Sequence, residues 1–240
     1  MIYWEDSCLS EAAAGLEVDH AFIGCMSGAP EGDALLRLGF VEGSSNTHPG
    51  QGTANRRFYF DNFMLELVWV ADPGEARSER TRRTRLWERC ERQDRQVSPF
   101  GIIFRSTGTP PAPPPFATWS YTPMYLPPGL AMQVAEGTTL YEPELFYLPF
   151  LRRPSARHPE PVEHAPLIRR ICGLSVGLRG RDVLSTASRC VERDHLVSYF
   201  EAPQPLLEIV FEGPPGMRID LRPELPLVFR SLRSVNNSRR

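Results

Sequence analysis

The chain has 240 residues, 41% of them hydrophobic, which suffices to bury the core of one large domain or two small ones. Its formal net charge of -2, with arginine and no lysine, gives no general attraction to nucleic acid or to anionic membranes. Five cysteines without a CxxC spacing, and no apolar run near the roughly 20 residues of a membrane span, predict a cytoplasmic monomer or homodimer without nucleic-acid or membrane partners.

The first predicted element is a short apolar strand over 18–23 that carries Asp19 and His20. A helix is predicted to follow, because Pro30 suits a first helical turn and an apolar helical stripe comes after it. A second, shorter strand is predicted at 40–41.

The stretch 52–70 predicts a β-hairpin with chemistry on one face. Two β-prone runs flank Asp61 and Asn62, which both tolerate the positive φ of a tight turn. That turn sets Arg57 opposite Glu66, and alternation sorts the side chains into two faces. The apolar face has Phe58, Phe60, Phe63, Leu65, Leu67 and Trp69; the other, which suits the wall of a polar pocket, has Asn55, Arg57, Tyr59, Met64, Glu66 and Val68.

Residues 75–96 predict a connecting helix that is mostly solvated, because eight arginines and five acidic residues surround only Leu86 and Trp87 as large apolar groups. A nucleic-acid arm is the weaker alternative, since the interleaved acids cancel most of the local charge. The segment 97–165 is irregular, with a strand at 101–105 and many loop prolines. Its rings suit either plain core or the wall of an apolar ligand cleft: Trp119, Tyr121, Tyr125, Tyr141, Phe146 and Tyr147.

Hydrophobic patterns typical of strands and of one helix appear again over 166–235, and 236–240 is predicted to be a tail. The predicted order is again strand, helix and three strands. The run 206–211 repeats the character of 64–69, so that Glu208 echoes Glu66. A duplicated βαβββ module is the economical explanation, with the first copy in 1–74.

These residues also carry a resemblance to a known family. The first unit begins with Asp19-His20, passes a Leu-Gly-Phe helix end at 38–40, and runs from Gly-Thr-Ala-Asn-Arg at 52–56 to Leu-Glu-Leu at 65–67. Over roughly 17–73 it resembles the glyoxalase-like domains of the vicinal oxygen chelate superfamily. The resemblance implies an α+β fold of paired βαβββ modules, of the glyoxalase, bleomycin resistance and dihydroxybiphenyl dioxygenase type, with mixed sheets curled around a cleft.

The resemblance further implies one divalent metal ion, such as Zn, Ni, Fe or Mn. His20 and Glu66 match the two ligand positions of the first module, and Glu208 matches the glutamate of the second. The fourth ligand is missing, because neither candidate first strand of the second module, 171–178 or 101–105, holds a histidine or glutamine.

The predicted function is therefore binding of a small organic molecule in a cleft. Two classes remain open: metal-assisted lyase, isomerase or dioxygenase chemistry, and metal-free binding or sequestration. Glu66 and His20 are the candidate catalytic residues; the candidate substrate-binding residues are Asn55, Arg57, Tyr59, Trp119 and Tyr121.

Each candidate also has a purely structural interpretation. Glu66 and Arg57 suit a cross-strand ion pair, and His20 suits a satisfied histidine at a cleft edge. Asn55 and Arg56 suit hydrogen bonds that hold the loop at 43–52. The remaining histidines are expected at the surface: His48, His158, His164 and His195.

A GxSxG pattern at 173–177 is expected to be a strand rather than a hydrolase nucleophile. An α/β hydrolase needs an acid and then a histidine downstream, whereas the last histidine, His195, precedes Asp220.

Overall fold

The computed structural model describes residues 15–152 and 160–232, which form two mixed β-sheets with few helices, an α+β architecture. The predicted tail at 236–240 lies outside the described residues. No helix in the part of the chain that the structure describes is long and apolar enough to cross a membrane.

The first unit has the predicted element order. It comprises β1 (Leu16–Gly24), α1 (Gly32–Arg37), β2 (Asn46–His48), β3 (Thr53–Tyr59) and β4 (Met64–Val70). The strands lie in the order β2-β3-β4-β1, with β1 parallel to β4. The short strand predicted at 40–41 is wrong: Phe40 is buried against Phe60 and Phe229, and the strand forms later, at β2.

The hairpin prediction is confirmed in register and in facing. Arg57 pairs with Glu66, Phe58 with Leu65, and the Phe60 amide donates to the Phe63 carbonyl at 2.8 Å. The apolar face packs into the main core as predicted, through Phe58, Phe60, Phe63, Leu65 and Leu67, with Trp69 against them.

The single solvated helix predicted over 75–96 is wrong. The segment forms α2 (Pro73–Ala76), a 3-10 turn (Arg82–Thr84) and α3 (Leu86–Cys90). Arg85 takes a left-handed φ of 57°, which ends the turn before α3. Arg89 is fully buried and donates to the carbonyls of Ser98 and Glu142, both at 2.8 Å, so this arginine anchors α3 instead of facing water.

The middle segment completes the first sheet. It comprises β5 (Phe100–Ser106), β6 (Thr118–Tyr121), β7 (Met132–Ala135) and β8 (Glu144–Tyr147). The order β5-β8-β7-β6, with β5 parallel to β8, repeats the order β1-β4-β3-β2, and the two first strands β1 and β5 lie side by side and antiparallel. The second half of the eight-stranded sheet is therefore supplied by 100–147, with the proline-rich stretch 107–117 in place of a helix.

Residues 171–231 form a separate five-stranded sheet, which corrects the prediction of 166–235 as the second module. Its elements are β9 (Ile171–Leu178), α4 (Thr186–Arg193), β10 (Ser198–Glu201), β11 (Leu206–Phe211), β12 (Arg218–Asp220) and β13 (Leu227–Ser231). The strand order is β10-β9-β11-β13-β12, with β9 antiparallel to β11. In the first unit the corresponding strands, β1 and β4, are parallel, so the sequence echo reflects similar burial rather than a repeated module.

One shared core lies between the two sheets. It takes residues from one face of each, among them Leu65 and Leu67 of β4 and Leu207 and Ile209 of β11. The opposite face of the eight-stranded sheet, which we call the site face, carries Glu66 and a second apolar cluster that α3 covers.

Candidate functional site

A β-bulge in β1 places two polar residues on the site face. The register of β1 against β5 shifts between Val18 and His20, so Asp19 is an extra residue. Side chains of a regular strand return to the same face every two residues, but Val18 and Ala21, which are three positions apart, both pack into the shared core. Asp19 and His20 are consequently free to form a polar cluster away from that core.

Asp19 orients the ring of His20. The His20 Nδ1 atom lies 2.7 Å from the Asp19 Oδ1 atom, and the two side chains are 13% and 14% exposed. The second oxygen of Asp19 pairs with the guanidinium of Arg105, whose Nε donates to Glu17 Oε1 at 2.6 Å. Arg105 is 2% exposed and belongs to β5, so a buried side chain from the second half of the sheet holds Asp19 and Glu17 in place.

The charges in this cluster favour a protonated His20 beside an ionised Asp19. Burial lowers the pKa of His20, but the Asp19 hydrogen bond and the charges of Glu66 and Asp19 outweigh burial and raise this pKa above its ordinary value. Burial raises the pKa of Asp19, but the bond to His20 and the charges of His20 and Arg105 outweigh it and lower the pKa overall.

Glu66 projects from β4 onto the site face, held by Asn55. Asn55 Nδ2 donates to Glu66 Oε1 at 2.9 Å, while Asn55 Oδ1 accepts from the Asn46 amide at 2.8 Å. Asn55 is fully buried, so its amide has one orientation that satisfies both bonds. Within the described residues, Glu66 Oε2 has no hydrogen-bond partner.

Arg57 faces Glu66 in register, but its charged end turns elsewhere. Its Nε donates to the Ser44 carbonyl at 2.6 Å, its Nη2 donates to Ser44 Oγ at 2.9 Å, and its guanidinium lies 5.5 Å from the Tyr59 ring centroid. The ion pair with Glu66 does not form among the described side chains. Arg57 and Tyr59 instead fix the loop that borders the site.

In the sequence analysis, Arg56 and Asn55 have the same structural interpretation. In the structure, the Arg56 side chain connects two neighbouring segments to β3. It forms ion pairs with Glu42 at 2.7 Å and Asp33 at 2.9 Å, which tie β3 to α1 and the following loop. Arg56 therefore does not hold the loop at 43–52, as the sequence suggested, whereas Asn55 does, because its Oδ1 accepts from the Asn46 amide at 2.8 Å.

Two further rings lie near Glu66. Burial lowers the pKa of His48, and the nearby charges of Glu66, Arg57 and His20 act on it as well. Burial raises the pKa of Tyr125, with Tyr121 and Glu66 raising it further. The His48 and Tyr125 ring centroids are 4.7 Å apart. Glu66 thus lies within electrostatic reach of two imidazoles and of the phenol of Tyr125.

The other two predicted substrate-binding residues lie on β6, at the far edge of the sheet. Trp119 packs under the Arg83 guanidinium, which is 4.2 Å from its ring centroid. Tyr121 is buried at the same edge. Tyr121 neighbours Tyr125, and Trp119 is half-buried with its ring centroid 6.0 Å from that of Tyr121.

Glu208 lies apart from the other two predicted metal ligands, which corrects its assignment. Its neighbours Leu207 and Ile209 enter the shared core, so Glu208 points from the opposite side of β11, where it pairs with Arg230 at 3.0 Å. Glu66 likewise points away from that core, on the other sheet. The two carboxylates occupy outward faces of different sheets.

The remaining donors do not fit a divalent metal. Among the described residues, no three His, Cys, Asp or Glu side chains are grouped to hold an ion. His20 and Glu66 are two donors, whereas catalytic zinc sites use three protein ligands.

Sequence reasoning missed three contributors to the site: Asp19 as a partner of His20, Arg105 and His48; Tyr125 was named only among the rings of a possible ligand cleft. Asp19 and His20 were visible as adjacent polar residues in an apolar strand. The β-bulge that places Asp19 and His20 in one cluster depends on the pairing of β1 with β5. The approach of Arg105 depends on the same long-range pairing, so the sequence around these residues does not reveal either feature.

The fold and site together define a mixed α+β protein, compatible with a paired βαβββ-type fold, with a polar cluster on one face of its larger sheet. No model of a known protein family matches the chain, and no curated protein matches it. The chain is similar to a hypothetical protein from Staphylococcus aureus, with 11% identity, a TM-score of 0.48, and 90% of this chain and 100% of that chain covered.

It is also similar to a mutant of 4-hydroxymandelate synthase from Streptomyces coelicolor. The identity is 14% and the TM-score 0.37, with 90% of this chain covered and 62% of the synthase chain. The description of the fold rests on the strand order rather than on these alignments.

Proposed function

We propose that this protein binds a small organic molecule at Glu66 and His20, with an oxygen-bearing head toward these two side chains and an apolar body toward Tyr125. The proposal rests chiefly on Glu66. A carboxylate in an otherwise apolar strand, held at one oxygen by the buried Asn55 and carrying a second oxygen without a described partner, is a ready acceptor for a ligand O–H or N–H group.

The proposal is metal-free, because the donor set does not fit a metal ion. Asn55 already donates to one Glu66 oxygen, and Asp19 already engages one nitrogen of His20. In the part of the chain that the structure describes, no side-chain arrangement favours metal-assisted chemistry over binding.

The test combines metal analysis with a ligand screen on protein purified without a histidine tag. We expect no stoichiometric Zn, Ni, Fe or Mn, and a rise in melting temperature with compounds that join an aromatic body to vicinal oxygens, since binding to the native state raises apparent stability. Phenacyl alcohol, benzoylformate and mandelate are suitable probes. Stoichiometric metal that chelation removes together with binding would contradict the metal-free site.

A matched pair of variants locates the site. Glu66→Gln is expected to weaken probe binding about tenfold or more, because a hydrogen bond to a charged group contributes about 1.5–3 kcal/mol. Glu208→Gln is the control, since Glu208 occupies the equivalent place in the echoing strand on the other sheet. Equal weakening by both variants would contradict the location.

A further inference from the structure

A pocket with a volume of about 200 Å³ lies where loops of the two sheets meet. Gln96 and Tyr141 line it from the loops before β5 and β8, and Arg179 and Val183 line it from the loop after β9. The volume is below the roughly 300–1,000 Å³ of pockets that hold drug-sized ligands, so it suits one ring with a head group.

Buried hydrogen bonds hold the walls of this pocket together. Arg89, which is fully buried, donates to the carbonyls of Ser98 and Glu142, both at 2.8 Å, and so joins the loops before β5 and β8. The Glu142 carboxylate accepts from the Ser185 amide at 2.9 Å, which connects the loop before β8 to the start of α4. The pocket is therefore preformed, and a ligand does not have to order its walls.

Arg179 brings a positive charge to the pocket without a counter-charge. It is exposed, and among the described residues it has no hydrogen bond or ion pair, whereas Arg181 nearby pairs with Glu192 at 2.6 Å. The described lining residues include no Asp or Glu. A guanidinium presents a planar fork of N–H donors that matches the two oxygens of a carboxylate.

Tyr141 and Val183 provide the apolar part of the wall. The Tyr141 side chain is 46% exposed, and Val183 is half-buried. An open aromatic ring beside an aliphatic side chain favours a ligand with a flat apolar body, which can pack against both.

Gln96 adds a hydrogen-bond acceptor to the same pocket. Its Nε2 donates to the Pro203 carbonyl at 3.2 Å, which fixes the orientation of the amide. Its Oε1 is buried and has no hydrogen-bond partner within the described residues. Because an unsatisfied buried acceptor is costly, a ligand N–H group that reaches it contributes to affinity.

We propose that this pocket is a second ligand site, which binds a small aromatic carboxylate that carries an amino group. The Arg179 guanidinium binds the carboxylate, the aromatic ring packs against Tyr141 and Val183, and the amino group donates to Gln96 Oε1. The pocket shares no lining residue with the site at Glu66, so this inference goes beyond the function proposed above.

Titration calorimetry with 4-aminobenzoate tests the contact with the carboxylate. Arg179→Gln is expected to weaken binding about tenfold or more, because the hydrogen bonds to a charged group are lost. Arg80→Gln is the matched control and is expected to bind like wild type, since Arg80 is likewise exposed and without a described ion pair but does not line the pocket. Equal affinities of wild type and Arg179→Gln, or no binding by wild type at millimolar concentrations, would overturn the proposal.

Two analogues of this probe test the chemical class of the ligand. The neutral 4-aminobenzamide lacks the charge that meets Arg179, and benzoate lacks the amino group that meets Gln96. Each is expected to bind wild type about tenfold more weakly than 4-aminobenzoate. Arg179→Gln is expected to bind 4-aminobenzamide as well as wild type does. An analogue that binds as tightly as 4-aminobenzoate would overturn the assigned chemistry.

Glu66→Gln distinguishes this pocket from the site face. We expect it to leave the affinity for 4-aminobenzoate at the wild-type value. Weaker binding by Glu66→Gln together with unchanged binding by Arg179→Gln would overturn the second site and leave the proposed function standing. Phenacyl alcohol has no carboxylate, so its failure to bind would count against the site at Glu66 alone.

Discussion

At the scale of single residues, His164 shows how burial and hydrogen bonding decide the state of a side chain. The sequence placed it at the surface, and the structure corrects this: His164 is 3% exposed, between the rings of Phe40 and Phe60. Its Nδ1 accepts from the Val41 amide at 3.0 Å, and its Nε2 donates to the Tyr59 carbonyl at 2.9 Å. Only the neutral ring satisfies both bonds. Burial accordingly lowers the pKa of His164, although the bond to Tyr59 opposes this.

His164 and His20 are predicted to affect stability in opposite directions as the pH changes. The unfolded chain binds a proton to His164 more readily than the native protein does, so this residue costs stability as the pH falls below about 6.5. The pKa of His20 is raised, so its contribution is fully present below about 6.5 and is lost as the pH rises through its folded pKa. His164→Gln should therefore reduce the loss of stability at acidic pH, and His20→Gln should increase it.

Urea unfolding of both variants and wild type between pH 5 and pH 8, in small steps, measures these slopes. The same change of slope in the two variants would contradict the assignment of opposite shifts.

At the scale of elements, β1 and β5 lie unusually close together where β5 has a glycine, Gly101, opposite Phe22 of β1. A Cβ atom at Gly101 would lie 2.0 Å from the Phe22 ring, so this ring covers the backbone of β5. β1 also approaches α3 closely, since a Cβ at Gly24 would lie 2.6 Å from the Arg89 carbonyl oxygen. These contacts set the packing of the two halves of the site face.

Two strand glycines are predicted to respond differently to the same change. Gly101→Ala should cost about 1–3 kcal/mol, the range for overpacking a core, because the rigid Phe22 ring must move. Gly173→Ala in β9 should be neutral or stabilising by about 0.4–1 kcal/mol, since its nearest neighbour would be Val210 Cβ at 4.0 Å and the unfolded chain loses freedom. Chemical denaturation measures both, and an equal cost would show that the Phe22 contact is not the cause.

At the scale of the whole molecule, the two sheets share one core and are joined at the hairpin turn. Asn62 donates to the Ile171 carbonyl at 2.8 Å and accepts from the Ile171 amide at 2.9 Å, so the turn of the first sheet pairs with the start of β9. Glu142, before β8, accepts from the Ser185 amide and hydroxyl at 2.9 Å, ahead of α4. Both links are made by side chains whose partners lie far away in sequence.

We predict that the two sheets unfold in one transition. Trp69, Trp87 and Trp119 report on the first sheet through fluorescence, and the buried Cys172 reports on the second through thiol labelling resolved by mass spectrometry. The two denaturation curves should coincide, because separation would expose the shared core. Asn62→Ala should lower the common midpoint without splitting it. Distinct midpoints for the two probes would show that the sheets are independent.

The sequence by itself determined the hairpin, its register, its two faces and the placement of Asn55, Arg57, Tyr59 and Glu66 on one of them. These features are local: strand alternation and the chemistry of a two-residue turn act over fewer than about ten neighbours. His20 lies outside this hairpin and was singled out by the family resemblance.

The tertiary structure alone decided which segment completes the eight-stranded sheet, and hence which side chains meet. The strand at 206–211 and the hairpin strand at 64–70 have the same local pattern, but they lie in different sheets that enclose one core, so Glu208 and Glu66 are on opposite outward faces. The bulge at Asp19 and the contact of Arg105 with Asp19 arise from the pairing of β1 with β5, in which the paired residues Glu17 and Arg105 are 88 positions apart. Such long-range pairing depends on the total burial of both faces, which no local pattern encodes.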